Sequence, residues 1–573
     1  MMNFNLRKVN LLANLNIVPL GGLRENGKNM YAVEYGEEIV ILDCGLQYPE
    51  NELFGIDVVI PDLTYIEENI DKIVGIFLTH GHADAIGAVP YLVGDHDIPV
   101  FGSKLTIELT KINVGNDKHS RHFRNFQIID AQTAIDFENI SVSFFKTTHS
   151  IPDSLGIVIK TPVGQVVYTG DFKFDQSAIA MYKTDYQRLA DIGKNKVVAL
   201  LSDSANAESP YPAADERDIY TYIWETFEYQ QGRIVVASVA SNILRMQQIF
   251  DAAQKLNRKV VLTGQDASKI VRTVIKLGYL NVDDDLLVSA REAEKMPKDK
   301  ILIIETGRMG EPIKILQKMA TSRHHFYHIE PGDFVFIATT PSHAMETNVA
   351  KTRDLIFRAG AEIKSLSDSG LYTSGHASKS DLQLMINLLH PQNVIPVQGE
   401  YRLLNAHSKI AAETGLDKNN IFLLQNGDVL SYEQNKFHLA PAVTAGDTMI
   451  DGIGIGDIGT IVLRDRKLLS DDGVFVAVVT IDRKKKKIVA PPKVTARGFV
   501  YLRENRQLLT ESSEVVVKAV QNNLDNKEFD WTHLKQDIRE DLNHFLWNKT
   551  KRHPMILPVV MEVNQNRHRN SHK

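Results

Sequence analysis

Residues 78–92 read Leu78-Thr79-His80-Gly81-His82-Ala83-Asp84-Ala85-Ile86-Gly87-Ala88-Val89-Pro90-Tyr91-Leu92, and the rest of the chain is organised around them. The apolar run at 73–78 reads as a buried strand. It stops at His80-Gly81-His82-Ala83-Asp84, and helix-compatible residues follow. A strand edge that delivers two histidines and an aspartate in alternation puts nitrogen and oxygen donors into one cleft, a set suited to zinc or manganese. Taken alone, the pattern is also compatible with a polar strand-to-helix turn. The residue after Asp84 is an alanine, Ala85.

The chain has 573 residues, too many for one core, so about two to four domains are expected. Its composition is globular, 43% hydrophobic and 24% charged. A net charge of -6 argues against indiscriminate nucleic-acid binding by the whole surface and leaves room for a local basic channel. Cys44 is the only cysteine, which excludes an intrachain disulfide and a cysteine zinc finger. Residues 1–12 lack a long apolar segment, and no run of about 18 apolar residues occurs. The expectation is a soluble, cytoplasmic protein with no membrane association.

Working outward, residues 17–20, 30–35 and 39–43 read as strands around the Gly-rich turn 21–27. Asp43 ends an apolar strand, where a carboxylate is costly unless partnered. It can orient a metal-binding histidine from behind, or cap a turn. The strand at 141–145 delivers His149, and the strand at 165–168 delivers Asp171. Three successive strand ends thus present ligand-type residues, a pattern that fits a cleft at one edge of a layered α/β sheet. Residues 198–201 feed a further polar loop, Ser202-Asp203-Ser204-Ala205-Asn206.

From about 211 to 370 the texture changes to repeated βα units with Gly/Ser/Thr loops at 240–242, 263–264, 306–310 and 339–342. This predicts an open parallel sheet whose loops can hold anions on backbone N–H groups. None of these loops is a nucleotide-binding fingerprint. The first texture resumes at Tyr372-Thr373-Ser374-Gly375-His376, before a helix at 379–389. His376 can donate to a phosphate oxygen, act as an acid, or merely cap the helix. A strand at 393–396 ends in Val397-Gln398-Gly399-Glu400. A connector at about 440–457 leads to a last unit with strands at 474–482, 498–502 and 555–563 and helices at 513–524 and 532–548. Its basic run, 483–487, reads as a solvated turn or as an RNA backbone contact. The basic tail, 566–573, is expected to be disordered.

His80-x-His82-x-Asp84, His149, Asp171, the Asp203–Asn206 loop, the inserted βα domain, Ser374-Gly375-His376 and Pro396-Val397-Gln398-Gly399-Glu400-Tyr401 resemble the ribonuclease J family in order and spacing, from about Leu15 onward. The resemblance implies an α/β fold: a metallo-β-lactamase αββα sandwich interrupted by a β-CASP parallel α/β domain, plus a small α+β C-terminal domain. The corresponding boundaries are 1–210 and 371–440 for the two core segments, 211–370 for the β-CASP domain, 441–465 for a linker and 466–573 for an oligomerisation domain. It implies 5′-to-3′ exonuclease and endonuclease activity on single-stranded RNA, in RNA maturation and mRNA decay. By resemblance, Ser241, Asn242, Tyr372, Thr373, Ser374, Gly375 and His376 hold RNA. His80, His82, Asp84, His149 and Asp171 ligate metal, Asp84, Asp171 and His376 serve catalysis, and Asp43 stands behind the ligands.

The sequence also departs from the family's pattern. The second ion's site there uses a histidine directly after Asp84 and another in the Pro-Val-His-Gly-Glu motif; here those positions are Ala85 and Gln398. Alanine offers no donor, and a glutamine amide oxygen is a weak ligand that prefers hard cations. Thr306-Gly307-Arg308-Met309-Gly310 also differs from the usual Thr-Gly-Ser-Gln-Gly. The pattern resembles the catalytically reduced second copy in bacteria that carry two. The expectation is therefore one zinc or manganese ion rather than two, with none bound as the limiting case, and weak or absent activity. The expected partners are RNA, further copies of the chain and the active paralogue. The alternatives are a fully active ribonuclease of the same type, action on DNA instead of RNA, and, disfavoured by the large insertion, a small-molecule hydrolase.

Overall fold

The computed structural model of the chain describes residues 14–49, 53, 55–264, 267–307, 311–339, 345–452, 454–500, 506–526 and 528–563. Arg308, Met309 and Gly310 and the basic tail lie outside them, as does part of the loop at 339–342. By contacts the chain divides into a large unit, 1–48 with 58–448, and a smaller one, 49–57 with 449–573.

Two sheets form the layers of the large unit's core. One runs in the order Lys436–Ala440, Val429–Glu433, Leu15–Gly21, Met30–Tyr35, Glu38–Leu42, Ile73–Phe77, Val100–Gly102, Phe126–Ile128. The other runs Val394–Val397, Val197–Asp203, Gly164–Tyr168, Leu155–Thr161, Ser141–Lys146, Ala134–Asp136. Val40, Leu42, Phe77, Phe144, Ile157, Ile159, Tyr168 and Leu201 fill the space between them. Strand alternation sends the next residue outward: Val158 joins Phe145, Leu200 and the helices Tyr186–Gly193, Lys379–Leu389 and Tyr401–Glu413 in a second core. Helices therefore cover this sheet's outer face, as the αββα expectation requires.

The chain leaves the sandwich after Val197–Asp203 and returns through Val394–Val397, which pairs parallel to it with Leu200 opposite Val394 and Asp203 opposite Val397. That register brings Asp203 and Gln398, distant in sequence, to one sheet edge. The excursion between them carries five strands, all parallel, in the order Lys259–Thr263, Ile301–Gly307, Ile234–Val239, Phe334–Ile337, Glu362–Ser365. Its central strands are continuous apolar runs, as a sheet covered on both faces demands.

In the smaller unit, the strands Lys487–Arg497, Val474–Asp482 and Met555–Glu562 form a sheet in that order. Two helices, Arg506–Asp525 and Trp531–Thr550, pack Val516, Val520, Leu534, Ile538 and Leu542 against its Phe475, Ala477 and Val479. The strand expected at 498–502 is not found over 498–500; the chain instead pairs earlier, over Lys487–Arg497, and Gly498 (φ +70°) ends that strand. The basic run forms the turn of this hairpin, with Arg483 3.3 Å from Glu562 and Lys485 3.8 Å from Asp482. A helix at Thr460–Asp472, not anticipated from the sequence, precedes the sheet. None of the described helices is long and apolar enough to cross a membrane.

Candidate metal centre

The strand Ile73–Phe77 is continued by Leu78 and Thr79, and the helix Ala83–Ile86 starts with His82 as its N-cap. Gly81 lets the chain turn tightly between them: a Cβ there would lie 2.6 Å from Leu109 Cδ1. The turn puts His80 and His82 on one side, where His149, following Ser141–Lys146, meets them. The ring centroids of His80, His82 and His149 lie 4.9–5.0 Å apart, pair by pair. Asp171 completes the group, its Oδ2 3.5 Å from His80 Nε2 and 3.7 Å from His149 Nε2. One donor atom from each of these four residues falls within 4.8 Å of all the others.

The outer ring nitrogens decide what the inner ones can do. His80 Nδ1–H donates to Thr79 Oγ1 (2.9 Å), whose hydroxyl donates to Asp43. Asp43 also accepts from the Thr79 backbone N–H (2.7 Å) and the Tyr168 hydroxyl (2.7 Å). Asp43 thus reaches His80 through Thr79 rather than directly. His149 Nδ1–H donates to the Gly375 carbonyl (2.8 Å), and His82 Nε2–H donates to the Ser241 carbonyl (3.3 Å). These bonds leave His149 Nε2 and His82 Nδ1 as lone pairs facing one another, with His80 Nε2 turned toward the same point.

Such a face calls for a cation. His82 Nδ1 and His149 Nε2 are only 3.0 Å apart. Burial, then the neighbouring His80, pushes His82 down to about 3, and burial with His82 holds His149 well below its ordinary value. Both rings are therefore neutral, and two lone pairs at that distance repel unless positive charge lies beside them. His80 Nε2 and Asp171 Oδ1 are buried without a hydrogen-bond partner among the described residues. Burial opposes a charge on His80, yet Asp171, Asp84 and Asp43 outweigh it and raise the ring to about 9. Burial and the Asp84 charge push Asp171 up to about 7. The donor set fits one cation of the zinc or manganese kind.

Asp84 stands apart from this focus. Its Oδ1 is 3.7 Å from His80 Nε2, and its Oδ2 accepts from Gln398 Nε2 at 3.1 Å and from Asn29 Nδ2 at 3.4 Å. Tyr31 fixes the Asn29 amide by donating its hydroxyl to Asn29 Oδ1 (3.2 Å), and the Gln398 backbone bonds the same hydroxyl. Gln398 takes a positive φ of 54° to reach this position. Burial would raise the Asp84 carboxyl, but His80 holds it well below the usual carboxylate range. Ala85 is fully buried and presents only a methyl group. Around Asp84 the described neighbours thus offer amides and a methyl group, and the one nearby imidazole is that of His80.

Beside the cluster, His376 Nδ1 donates to Asp203 Oδ2 at 2.9 Å and lies 3.9 Å from Asp171 Oδ2. Burial would lower His376, but Asp203 and Asp171 outweigh it and hold the imidazolium up to about 10. Asn206 secures the segment around it, donating to the His376 carbonyl (3.3 Å) and accepting from the Tyr372 hydroxyl. Ser374 Oγ accepts from the His376 N–H at 3.0 Å. The loop carrying Ser241 and Asn242 closes over His82, and Asn242 caps the helix Ile243–Lys255 through Arg245 N–H (3.0 Å). His80, His82, Asp84, His149, Asp171, Ser241, Gly375, His376 and Gln398 are thus brought together around one cleft, with Asp43 behind it and Asn242, Tyr372 and Ser374 holding the adjoining segments. Sequence reading missed the parts of Thr79, Asn29 and Tyr31. The one available signal was Asn29, a polar residue between the Gly-rich turn and the apolar strand at 30–35.

Family models match the chain in the order of the fold. The metallo-beta-lactamase superfamily matches residues 23–227, the ribonuclease J beta-CASP domain 231–356, the Zn-dependent metallo-hydrolase RNA specificity domain 362–424 and the ribonuclease J C-terminal domain 461–563. A "Ribonuclease J 2" of Streptococcus pyogenes is 50% identical, covering 96% of this chain and 100% of the relative. Those of Staphylococcus aureus and Staphylococcus saprophyticus are 45% and 44% identical, covering 96% of this chain and 98% of each relative. Among solved structures, a protein of unknown function from Enterococcus faecalis V583 shares the fold, with a TM-score of 0.50 and 17% identity over 73% of this chain and the whole of the other. These matches, with the cleft they enclose, establish that the chain belongs to the ribonuclease J family of metallo-β-lactamase/β-CASP proteins, on the side of its second paralogue.

Proposed function

We propose that this protein is an RNA-binding ribonuclease J of reduced hydrolytic power, carrying one metal ion and acting with a more active member of the family. One observation carries the reading: the Asp84 oxygen that would face a second ion is already taken by the Gln398 amide, 3.1 Å away. His80, His82, His149 and Asp171 would hold the single zinc or manganese ion, which when bound activates water and offsets charge on the phosphate. His376, kept protonated by Asp203, donates from its free nitrogen to a phosphate or leaving oxygen. Ser241, Asn242 and the segment 372–375 hold the strand across the cleft. Losing one of two positive charges that face the transition state costs about 10²–10³ in rate, the usual weight of a single electrostatic stabiliser.

The smaller unit supports association. One face of its sheet packs on the two helices, whereas the other exposes Leu557 (44%), Val559 (43%) and Met561 (48%). Val476 and Val478 pair beside Leu557 and Val559, so the apolar strip spans adjacent strands. Such a strip suits a second copy of this chain or its paralogue.

The deciding experiment is metal content together with decay of a 5′-monophosphorylated RNA, with and without manganese, using Asp171→Ala to control for contaminating nuclease. One ion per chain, bound RNA and slow or no decay above the control are expected. Family-like decay that vanishes in Asp171→Ala would overturn the reduced-activity reading.

A further inference from the structure

The converging imidazoles are held from two different directions. His80 is oriented from within the sandwich, through Thr79 and Asp43. His82 and His149 are oriented from above, by the backbone carbonyls of Ser241 and Gly375. Ser241 belongs to the inserted domain, in the loop between Ile234–Val239 and Ile243–Lys255. Gly375 belongs to the segment that runs from Tyr372 to His376. Each carbonyl fixes which nitrogen of its imidazole carries the proton, and so which lone pair faces the cluster.

The approach of Gly375 is tight. A Cβ at Gly375 would lie 2.8 Å from His149 Cε1 and 3.1 Å from its Nδ1. The Ser241 loop is tied to the core nearby by Leu244 N–H to the Ser150 carbonyl (3.3 Å), and the inserted domain is tied to the same part of the core by the Tyr279 hydroxyl to Asp153. Lys269, further along the inserted domain, donates to Asn116 Oδ1 at 2.9 Å. A movement of either segment therefore reaches an imidazole with no intervening side chain.

We infer that Ser241 and Gly375 are positioning residues for the ion, and that metal affinity and single-strand binding are linked through their carbonyls. This rests on the reading that His80, His82, His149 and Asp171 hold the ion and that the two segments hold the strand. A strand that draws the segments onto the core fixes the two imidazoles in their ligating form. A bound ion that fixes the imidazoles in turn fixes the segments. The two affinities must then change by the same factor, since linkage between binding sites is reciprocal.

The test titrates manganese into metal-free protein in the absence of RNA, so that no phosphate touches the ion directly. Gly375→Ala, which pushes its carbonyl off His149, is expected to weaken manganese binding about tenfold, the lower end of the effect of losing such an outer partner. Tyr279→Phe, outside the ligand set, removes a tie between the inserted domain and the core segment after His149 and is expected to weaken it about threefold or more. A 5′-phosphorylated, 2′-O-methylated oligonucleotide should raise manganese affinity in the unaltered protein by the factor by which manganese raises affinity for the oligonucleotide. Manganese binding unchanged in both variants, at unchanged melting temperature, overturns the proposal. If Gly375→Ala does not fold, Tyr279→Phe decides alone. His80→Ala and Asp171→Ala separate the two readings. Should they leave manganese binding intact, the ion sits elsewhere and the underlying site assignment fails. Should they abolish it while Gly375→Ala and Tyr279→Phe do nothing, only the linkage fails.

Discussion

Gln398 Nε2 donates to Asp84 Oδ2 across 3.1 Å, and this amide and that of Asn29 satisfy the half-buried carboxylate. A neutral donor offsets a carboxylate's charge without adding a positive centre to the cleft. Gln398→Glu keeps the shape and sets a second carboxylate against Asp84. The metal-free variant should lose about 1–3 kcal/mol in urea unfolding, the cost of a buried polar group left without its partner. It should also gain a manganese-dependent rise in melting temperature larger than that of the unaltered protein. The double change Ala85→His/Gln398→His should raise bound metal from one ion to two per chain. If the unaltered protein already holds two, measured by elemental analysis, the amide does not occupy that position.

Thr79 Oγ1 links Asp43 to His80. Thr79→Val preserves the branched shape and deletes this hydroxyl, removing one of the three donors to Asp43 and freeing the His80 ring to turn. The expected result is a stability loss of about 1–3 kcal/mol and metal affinity lower by about 10–100-fold. Equal affinity by calorimetric titration would mean that His80 needs no such support.

His407 offers a pH test away from the ligands. It is fully buried in the helix Tyr401–Glu413, with Nδ1 2.9 Å from Ser204 Oγ, and burial pushes it down to about 4. Its folded value lies below the unfolded value of about 6.5, so the unfolded chain takes up the proton first as pH falls. The neutral ring's contribution is present above about pH 6.5 and is lost as pH falls toward 4. Between pH 7 and 5 this amounts to about 2 kcal/mol. Urea unfolding of His407→Gln should show that much less loss over the same interval; an identical slope would place the titrating group elsewhere.

The exposed strip on the smaller unit's sheet predicts an assembly that a single charge disrupts. Val559, 43% exposed, pairs with Val478 in the adjacent strand. Val559→Lys should shift the oligomer toward monomer in light scattering after size exclusion while leaving the melting temperature nearly unchanged, since its side chain contributes little to the unit's own core. An unaltered mass would move the association surface off this sheet.

Much of the protein was legible in the sequence because the signals are local. An apolar strand followed by His80-Gly81-His82-Ala83-Asp84 puts its donors on one edge whatever the rest of the chain does. Repeated βα units specify a parallel sheet through their continuous apolar strands. Ala85 and Gln398 mark a departure from the family's pattern by residue type alone. The hairpin strand expected at 498–502 misled because Gly498 and its neighbours look extendable, whereas the pairing that forms lies one segment earlier. Tertiary structure alone decided the rest. Asp203 meets His376 across 173 residues because the helix Lys379–Leu389, which follows His376, packs on the sheet that carries Val197–Asp203. The Gln398 amide turns its nitrogen, not its oxygen, to Asp84 because that carboxylate is already in place. His82 and His149 receive their orientation from the backbone carbonyls of Ser241 and Gly375. A carbonyl is common to every residue, so hydrogen bonds of that kind leave no mark in the amino-acid sequence and exist only once the chain has folded.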